Sequence, residues 1–253
     1  MSTKIFFLSF VALLLCLPFG STAPSDHTYY LSLGDSFAAG VEPISPNKSI
    51  SPAFSYANAL YDLLKKNYSN LKLIKYGCSG ETSDGLINYN KCSKNPKYSQ
   101  LNQAIDFMNS HRGMVKFVTI NIGVNDLHKY CHDKDLDGKC GSKVLKNLSN
   151  NLIDVIIPKL KEAGGEGVQY AGSTYFHRFT NDLNDLSVKI YRENGFRVAD
   201  IRSVFGTNGD PSEFKRRVCL YTNSCNKYNN SHPNVPGSRE IGNLYHKELG
   251  PFN

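Results

Sequence analysis

Apolar residues recur along this chain in two alternating rhythms. Short β-prone runs occupy Tyr29–Leu33, Leu71–Tyr76, Lys116–Ile122, Val168–Ala171 and Phe196–Ala199. Between them the spacing predicts helices. Pro52 to Lys66 carries Pro near its first turn, as helix starts often do. Ser99 to His111 sets Leu101, Ala104, Ile105 and Met108 on one face, and Val144 to Ala163 does the same with Leu145, Leu148, Leu152, Val155 and Ile156. The latter ends at Gly164-Gly165, and Pro158 is expected to kink it or tighten its last turn. Asp182 to Glu193 and Ser238 to Leu249 complete the set. Strand and helix in alternation predict an α/β fold, a three-layer α/β/α sandwich around a five-stranded parallel sheet. Right-handed crossovers leave few topologies, and such sheets bind ligands at the carboxyl ends of their strands.

The first residues stand outside this rhythm. Lys4 precedes an apolar run from Ile5 to Phe19, and the small residues Gly20, Ser21, Thr22 and Ala23 follow. This reads as a secretory signal peptide over residues 1–23, with the cut between Gly20 and Ser25. The run falls short of the roughly 20 apolar residues of a membrane span, and no later segment is apolar enough to cross. Residues 24–253 remain, enough for one sizeable domain. No repeat or Pro/Ser-rich linker divides them.

Charge and cysteine content narrow the picture further. The net charge is +7, with the basic residues spread out and densest at Lys215-Arg216-Arg217. A nucleic-acid partner would need a basic stripe or a reader motif, and neither is visible. A mildly basic surface favours anionic polymers or membranes. Of seven cysteines, Cys16 leaves with the signal, and an even number in a secreted chain suggests disulfides. Cys131 with Cys140 and Cys219 with Cys225 are close in sequence and bracket irregular segments, which leaves Cys78 with Cys92. There is no Cys-x-x-Cys pair to suggest a metal cluster. Asp133-Lys134-Asp135-Leu136-Asp137-Gly138 opens like a calcium loop, but its twelfth position is Val144, not a bidentate Glu. A disulfide-stapled polar loop is the better reading. His128 and His132 are four apart without a further ligand, so no metal or cofactor is called for. N-glycosylation sequons stand at Asn47, Asn67, Asn147 and Asn229.

The candidate chemistry lies where strands are expected to end. The first strand runs into Gly34-Asp35-Ser36, the second into Gly77-Cys78-Ser79-Gly80-Glu81-Thr82-Ser83, and the third into Gly123-Val124-Asn125-Asp126. Near the carboxyl terminus stands Asn229-Asn230-Ser231-His232-Pro233-Asn234, before a further helical pattern. Singly, each has a plainer explanation: Ser36 and Asn125 could cap helices and Gly80 could permit a turn. Together and in this order they offer a nucleophile, a base and oxyanion donors.

On these blocks, and on Tyr98-Ser99-Gln100-Leu101 and Val118-Thr119-Ile120-Asn121-Ile122-Gly123, the sequence resembles the SGNH hydrolases, also called GDSL lipases and esterases. Within them it is similar to a secreted, disulfide-bonded branch. The resemblance implies a flavodoxin-like fold and a serine carboxylester hydrolase without cofactor. It implies Ser36 as nucleophile, His232 as base, and an oxyanion hole from the Ser36 N–H, the Gly80 N–H and the Asn125 amide. The family usually carries Asp three residues before the histidine, and here that residue is Asn229. Asn229 could orient His232, a backbone carbonyl could do so and leave a Ser-His dyad, or a carboxylate such as Asp200 or Asp210 could be brought in. A glycan on Asn229 would rule out the first. Tyr175, Phe176 and Phe179 follow the fourth strand and either line an acyl or aryl pocket or simply pack. The expected substrate is a small ester, a lipid or an acylated carbohydrate, acted on by a monomer. The alternatives are a carbohydrate deacetylase on the same machinery and a non-catalytic binding protein on the same scaffold.

Overall fold

Five parallel strands make the central sheet: β1 (Thr28–Gly34), β4 (Leu71–Lys75), β5 (Val115–Asn121), β6 (Gln169–Ser173) and β7 (Arg197–Ala199), in the order β4-β1-β5-β6-β7. The computed structural model describes residues 27–252 except 46, 90, 91, 93, 94, 96, 97 and 132–138. The signal-like segment with Cys16, His132 and the acidic loop Asp133–Gly138 therefore lie outside the described residues. Strand order reverses beside β1, so the loops after β1 and β5 flank a topological switch point, the usual ligand crevice of such a sheet.

The strands read as near-continuous apolar runs because both faces are covered. Tyr30, Leu31 and Leu33 of β1 and Phe117, Val118 and Ile120 of β5 are all fully buried. On one face α2 (Tyr56–Leu64) packs against α11 (Val235–Leu249), where Tyr56 and Tyr245 stack at 4.6 Å. Right-handed crossovers put α4 (Gln100–Ser110), α7 (Ile157–Gly164) and α8 (Asn181–Glu193) on the other face.

Where elements differ from the sequence pattern, local chemistry explains it. The helix expected from Pro52 begins instead at Tyr56, because Ser55 forms a capping box with Asn58. The long helix expected from Val144 runs as α6 (Lys139–Asn150), a π-helical turn (Asn151–Ile156) and α7. The π turn sits just before Pro158, which lacks an N–H and crowds the preceding turn. Shorter pieces had no periodic signal: the hairpin β2 (Glu42–Ser45) with β3 (Lys48–Ile50), α1 (Ser36–Ala39), α3 (Ser83–Asn88), α5 (Val124–Tyr130), α9 (Arg202–Phe205), and β8 (Thr222–Asn223) with β9 (Asn230–Pro233). Helix α10 (Pro211–Tyr221) is longer, but its apolar stripe is only Phe214, Val218 and Tyr221, half-buried against the core.

Disulfides join Cys78 to Cys92, Cys131 to Cys140 and Cys219 to Cys225, the pairing read from the spacing. Among the described residues no helix is long and apolar enough to cross a membrane, and no group of three or more His, Cys, Asp or Glu could hold a metal ion.

Candidate active site

Ser36 stands where β1 turns into α1. The turn depends on Gly34, whose φ is +124° and whose absent side chain admits the next strand: a Cβ there would lie 2.0 Å from the Asn121 carbonyl oxygen. Asp35 then caps α1, its Oδ1 accepting the Phe37 N–H at 2.9 Å. Ser36 is the first residue of that short helix, where backbone N–H groups lack intrahelical partners. It is 6% exposed, and among the described residues none hydrogen-bonds its hydroxyl or its N–H.

The loops after β4 and β5 close around it. Gly80 takes a left-handed conformation (φ 74°) in a turn closed by Glu81 N–H on the Cys78 carbonyl at 3.1 Å. Cys78 N–H in turn donates to the Gly34 carbonyl at 2.9 Å. The Asn125 side-chain amide donates to the Glu81 carbonyl at 3.0 Å and lies 3.4 Å from Asp35 Oδ2. One amide thus touches both neighbouring loops. Beneath them, Gln100 donates to the Gly34 carbonyl, accepts the Gly34 N–H and donates to Glu81 Oε2, each at 3.0 Å.

Burial governs the acids here. Desolvation pushes the Asp35 carboxyl up to about 7, opposed by the hydrogen bond from the Tyr175 hydroxyl. Asp126 is pushed up to about 6, again by burial, while Ser83 donates to it through hydroxyl and N–H.

His232 comes from a different quarter. Asn234 caps α11 by accepting the Gly237 N–H at 2.9 Å, and its amide donates to the carbonyls of Leu220 (2.9 Å) and Thr222 (3.0 Å). These bonds lock the β8–β9 hairpin to the end of α10, and the Cys219–Cys225 disulfide staples the same corner. The His232 ring centroid lies 6.3 Å from that of Phe37, the residue after Ser36. Burial holds this imidazole below its ordinary range.

The partner of His232 is not among those expected from the sequence. Its Nδ1 lies 2.8 Å from Asn230 Oδ1, which also accepts the His232 backbone N–H at 2.9 Å. Asn229 is exposed, left-handed (φ 47°) and bonded through its N–H to the Asn226 carbonyl. Asp200 is engaged by Thr174 and Arg202, and Asp210 caps α10. The spacing rule of three residues hid Asn230, yet an Asn two residues before a backbone N–H is a familiar side-chain turn.

The aromatic residues after β6 divide. Tyr175 and Phe176 are 1% and 2% exposed and pack behind the site, Tyr175 against Asp35 and Phe176 stacked on Phe205 at 4.2 Å. Phe179 is half-buried and packs against His128 and His177. His177, a histidine without a motif in the sequence, is pushed down to about 4 by burial, with His128 and His232 adding to the shift. The crevice beside Ser36 is small, about 10 Å³, between Phe37, Val41, Phe54, Pro233 and Ile241. A larger cavity of about 600 Å³ lies against Asp126, Asp84, Tyr130 and Lys143.

Comparison with known proteins bears on this arrangement. No curated protein matches the sequence. Among solved structures, a variant of an acetyl xylan esterase from Geobacillus stearothermophilus superposes with a TM-score of 0.56 at 17% identity, covering 89% of this chain and 97% of that one. An extracellular lipase from Streptomyces rimosus gives 0.52 at 16%, over 87% and 99%. An aryl esterase of M. smegmatis gives 0.53 at 14%, over 88% and 98%. At such identities the likeness is one of fold. The sequence itself carries more: the profile of the GDSL-like Lipase/Acylhydrolase family matches residues 32–239. With the β1, β4 and β5 loops gathered at one sheet edge inside that span, the chain belongs to the GDSL-like lipase/acylhydrolase family and is a serine ester hydrolase.

Proposed function

We propose that this protein is a secreted esterase that works through an acyl-enzyme on Ser36. The observation that carries the reading is that no described residue hydrogen-bonds the Ser36 hydroxyl or N–H at the switch point, where the Asn125 amide reaches the neighbouring Asp35 and the Gly80 turn is tied to Gly34. In this reading His232 Nε2 takes the Ser36 hydroxyl proton as Oγ bonds to the ester carbonyl carbon. The carbonyl electrons move onto oxygen, where the N–H groups of Ser36 and Gly80 and the Asn125 amide receive them. Collapse breaks the bond to the alcohol, which leaves with the proton from His232. Water then repeats the sequence on the acyl-enzyme and frees the acid. No step calls for a cofactor.

Secretion is supported by the signal-like amino terminus, by three disulfides and by the exposure of Asn47, Asn67, Asn147 and Asn229 at glycosylation sequons. No apolar cap is apparent in the sequence, which supports short acyl groups over the long chains of an interfacial lipase. That same observation favours one second reading, removal of acetyl groups from carbohydrate.

A panel of p-nitrophenyl esters of increasing chain length tests the proposal. Wild type should hydrolyse acetate and butyrate best, and Ser36→Ala should lose the activity. A fluorophosphonate probe should label wild type at Ser36. Equal rates for both proteins, without labelling, would leave only a binding protein on this scaffold.

A further inference from the structure

The feature that the family pattern does not cover is what stands behind His232. We infer that Asn230, not the residue at position 229, positions His232 for catalysis, with its side-chain carbonyl holding the imidazole in the tautomer that leaves Nε2 free to accept a proton. This rests on the esterase reading and extends it to a triad whose third member is neutral and displaced by one residue.

The geometry fixes the chemistry without any assumption about amide orientation. One terminal atom of Asn230 contacts both the His232 backbone nitrogen at 2.9 Å and its Nδ1 at 2.8 Å. A backbone N–H can only donate, so that atom is the amide oxygen. An oxygen that only accepts requires a proton on Nδ1 of the neutral ring. Nε2 then carries the lone pair. The double acceptor also fixes the ring to its own backbone, so rotation about the side chain would break a bond.

Position 229 is excluded by its backbone. Its left-handed φ and its N–H bond to Asn226 belong to the hairpin turn, and the side chain is exposed. A glycan at the Asn229 sequon is therefore compatible with catalysis.

A neutral orienter fixes a tautomer but adds no charge to stabilise the imidazolium formed during reaction. His177, on the loop after β6, is near enough to His232 to interact with it electrostatically, and burial keeps it neutral. Among the described residues, no carboxylate bonds to His232. The base is thus weak, and its protonation sets an acid limb at low pH.

The experiment compares Asn230→Asp, Asn230→Ala and Asn229→Asp with wild type. A carboxylate at 230 should raise the acid limb of kcat/KM by about 1–2 pH units and keep or raise kcat. Alanine at 230 should lower kcat by about 10²-fold with KM little changed. Asn229→Asp should move neither quantity. A limb that shifts with Asn229→Asp and not with Asn230→Asp, or full turnover in Asn230→Ala, would overturn the assignment. Nitrogen NMR of the His232 ring supplies a readout independent of turnover. Wild type should show the Nδ1–H tautomer, and Asn230→Ala should show a mixture. The opposite tautomer in wild type would sink the inference even with the esterase active. A normal Nδ1–H signal in a protein that neither labels nor hydrolyses would instead count against the esterase reading.

Discussion

The Tyr175 hydroxyl donates to the carboxylate of Asp35, the residue that caps the helix beginning at Ser36. Asp35 is held up to about 7, above the value near 4 of an unfolded chain. Between those pH values the folded protein keeps a proton that the unfolded chain has released. Its contribution is therefore most favourable below about pH 4 and is lost as pH rises toward 7. Asp126, held up to about 6, acts in the same direction. Asp35→Asn keeps an oxygen for the Phe37 N–H and removes the charge. Its Tm should fall less than that of wild type between about pH 5 and 8. Tyr175→Phe should cost about 1–3 kcal/mol at the upper pH, where the carboxylate is charged, and less at the lower. Identical melting curves at both pH values would show that the bond contributes nothing.

Asn125 bears a different kind of test because it serves two neighbours. Its amide donates to the Glu81 carbonyl at 3.0 Å and reaches Asp35 Oδ2 at 3.4 Å. In the proposed mechanism it is an oxyanion donor, and loss of such a donor costs about 10²–10³ in turnover. Asn125→Ala should lower kcat by that factor with KM little changed and Tm reduced only slightly. A drop confined to Tm would mark Asn125 as a strut between loops.

Much of this arrangement was legible before any coordinates. The strands of the sheet lie close to where the apolar runs placed them, because a parallel strand buried on both faces has a sequence to match. Ser36, Gly80, Asn125 and His232 are proposed as a set because four motifs occur in order. What stayed hidden depends on contacts without periodicity. Helix α10 covers the core with only three half-buried residues, Phe214, Val218 and Tyr221, among charged neighbours, so its stripe is short. Asn230 was masked by a spacing rule that looks for an aspartate one residue earlier, at position 229. His177 is a lone histidine, and only packing against Phe176 at 4.0 Å and proximity to His232 distinguish it.

Gln100 makes a prediction about stability rather than chemistry. It satisfies both backbone groups of Gly34 and one oxygen of the buried Glu81. Gln100→Leu would keep the volume but leave the buried Gly34 N–H without its acceptor, while the Gly34 carbonyl keeps the Cys78 N–H. An unsatisfied buried donor costs about 1–3 kcal/mol, so the variant should melt below wild type. Gln100→Glu offers two acceptors and no amide donor, and it adds a charge beside Glu81. It should be no better than the leucine variant. A Tm within a degree of wild type for either would show that water replaces the side chain at no cost.

The corner that carries His232 should separate stability from activity most clearly. Gly237, in the first turn of α11, lies so close to α10 that a Cβ would sit 1.9 Å from the Tyr221 carbonyl oxygen. Backbone cannot yield there as a side chain could, so Gly237→Ala must push α11 away from α10. The displaced segment includes Asn234, whose bonds to Leu220 and Thr222 fix the hairpin bearing His232. The Cys219–Cys225 disulfide closes a short loop at the same corner, and such loops contribute about 2 kcal/mol through the unfolded chain. Replacing both cysteines by serine should therefore lower Tm by several degrees. It leaves Asn234 and Gly237 untouched, so kcat of the folded protein should stay within about threefold of wild type. Gly237→Ala should lower kcat by a much larger factor than its Tm change accounts for at the assay temperature. If the two variants instead lose activity only in proportion to the fraction unfolded, the corner holds the fold together without setting the position of His232.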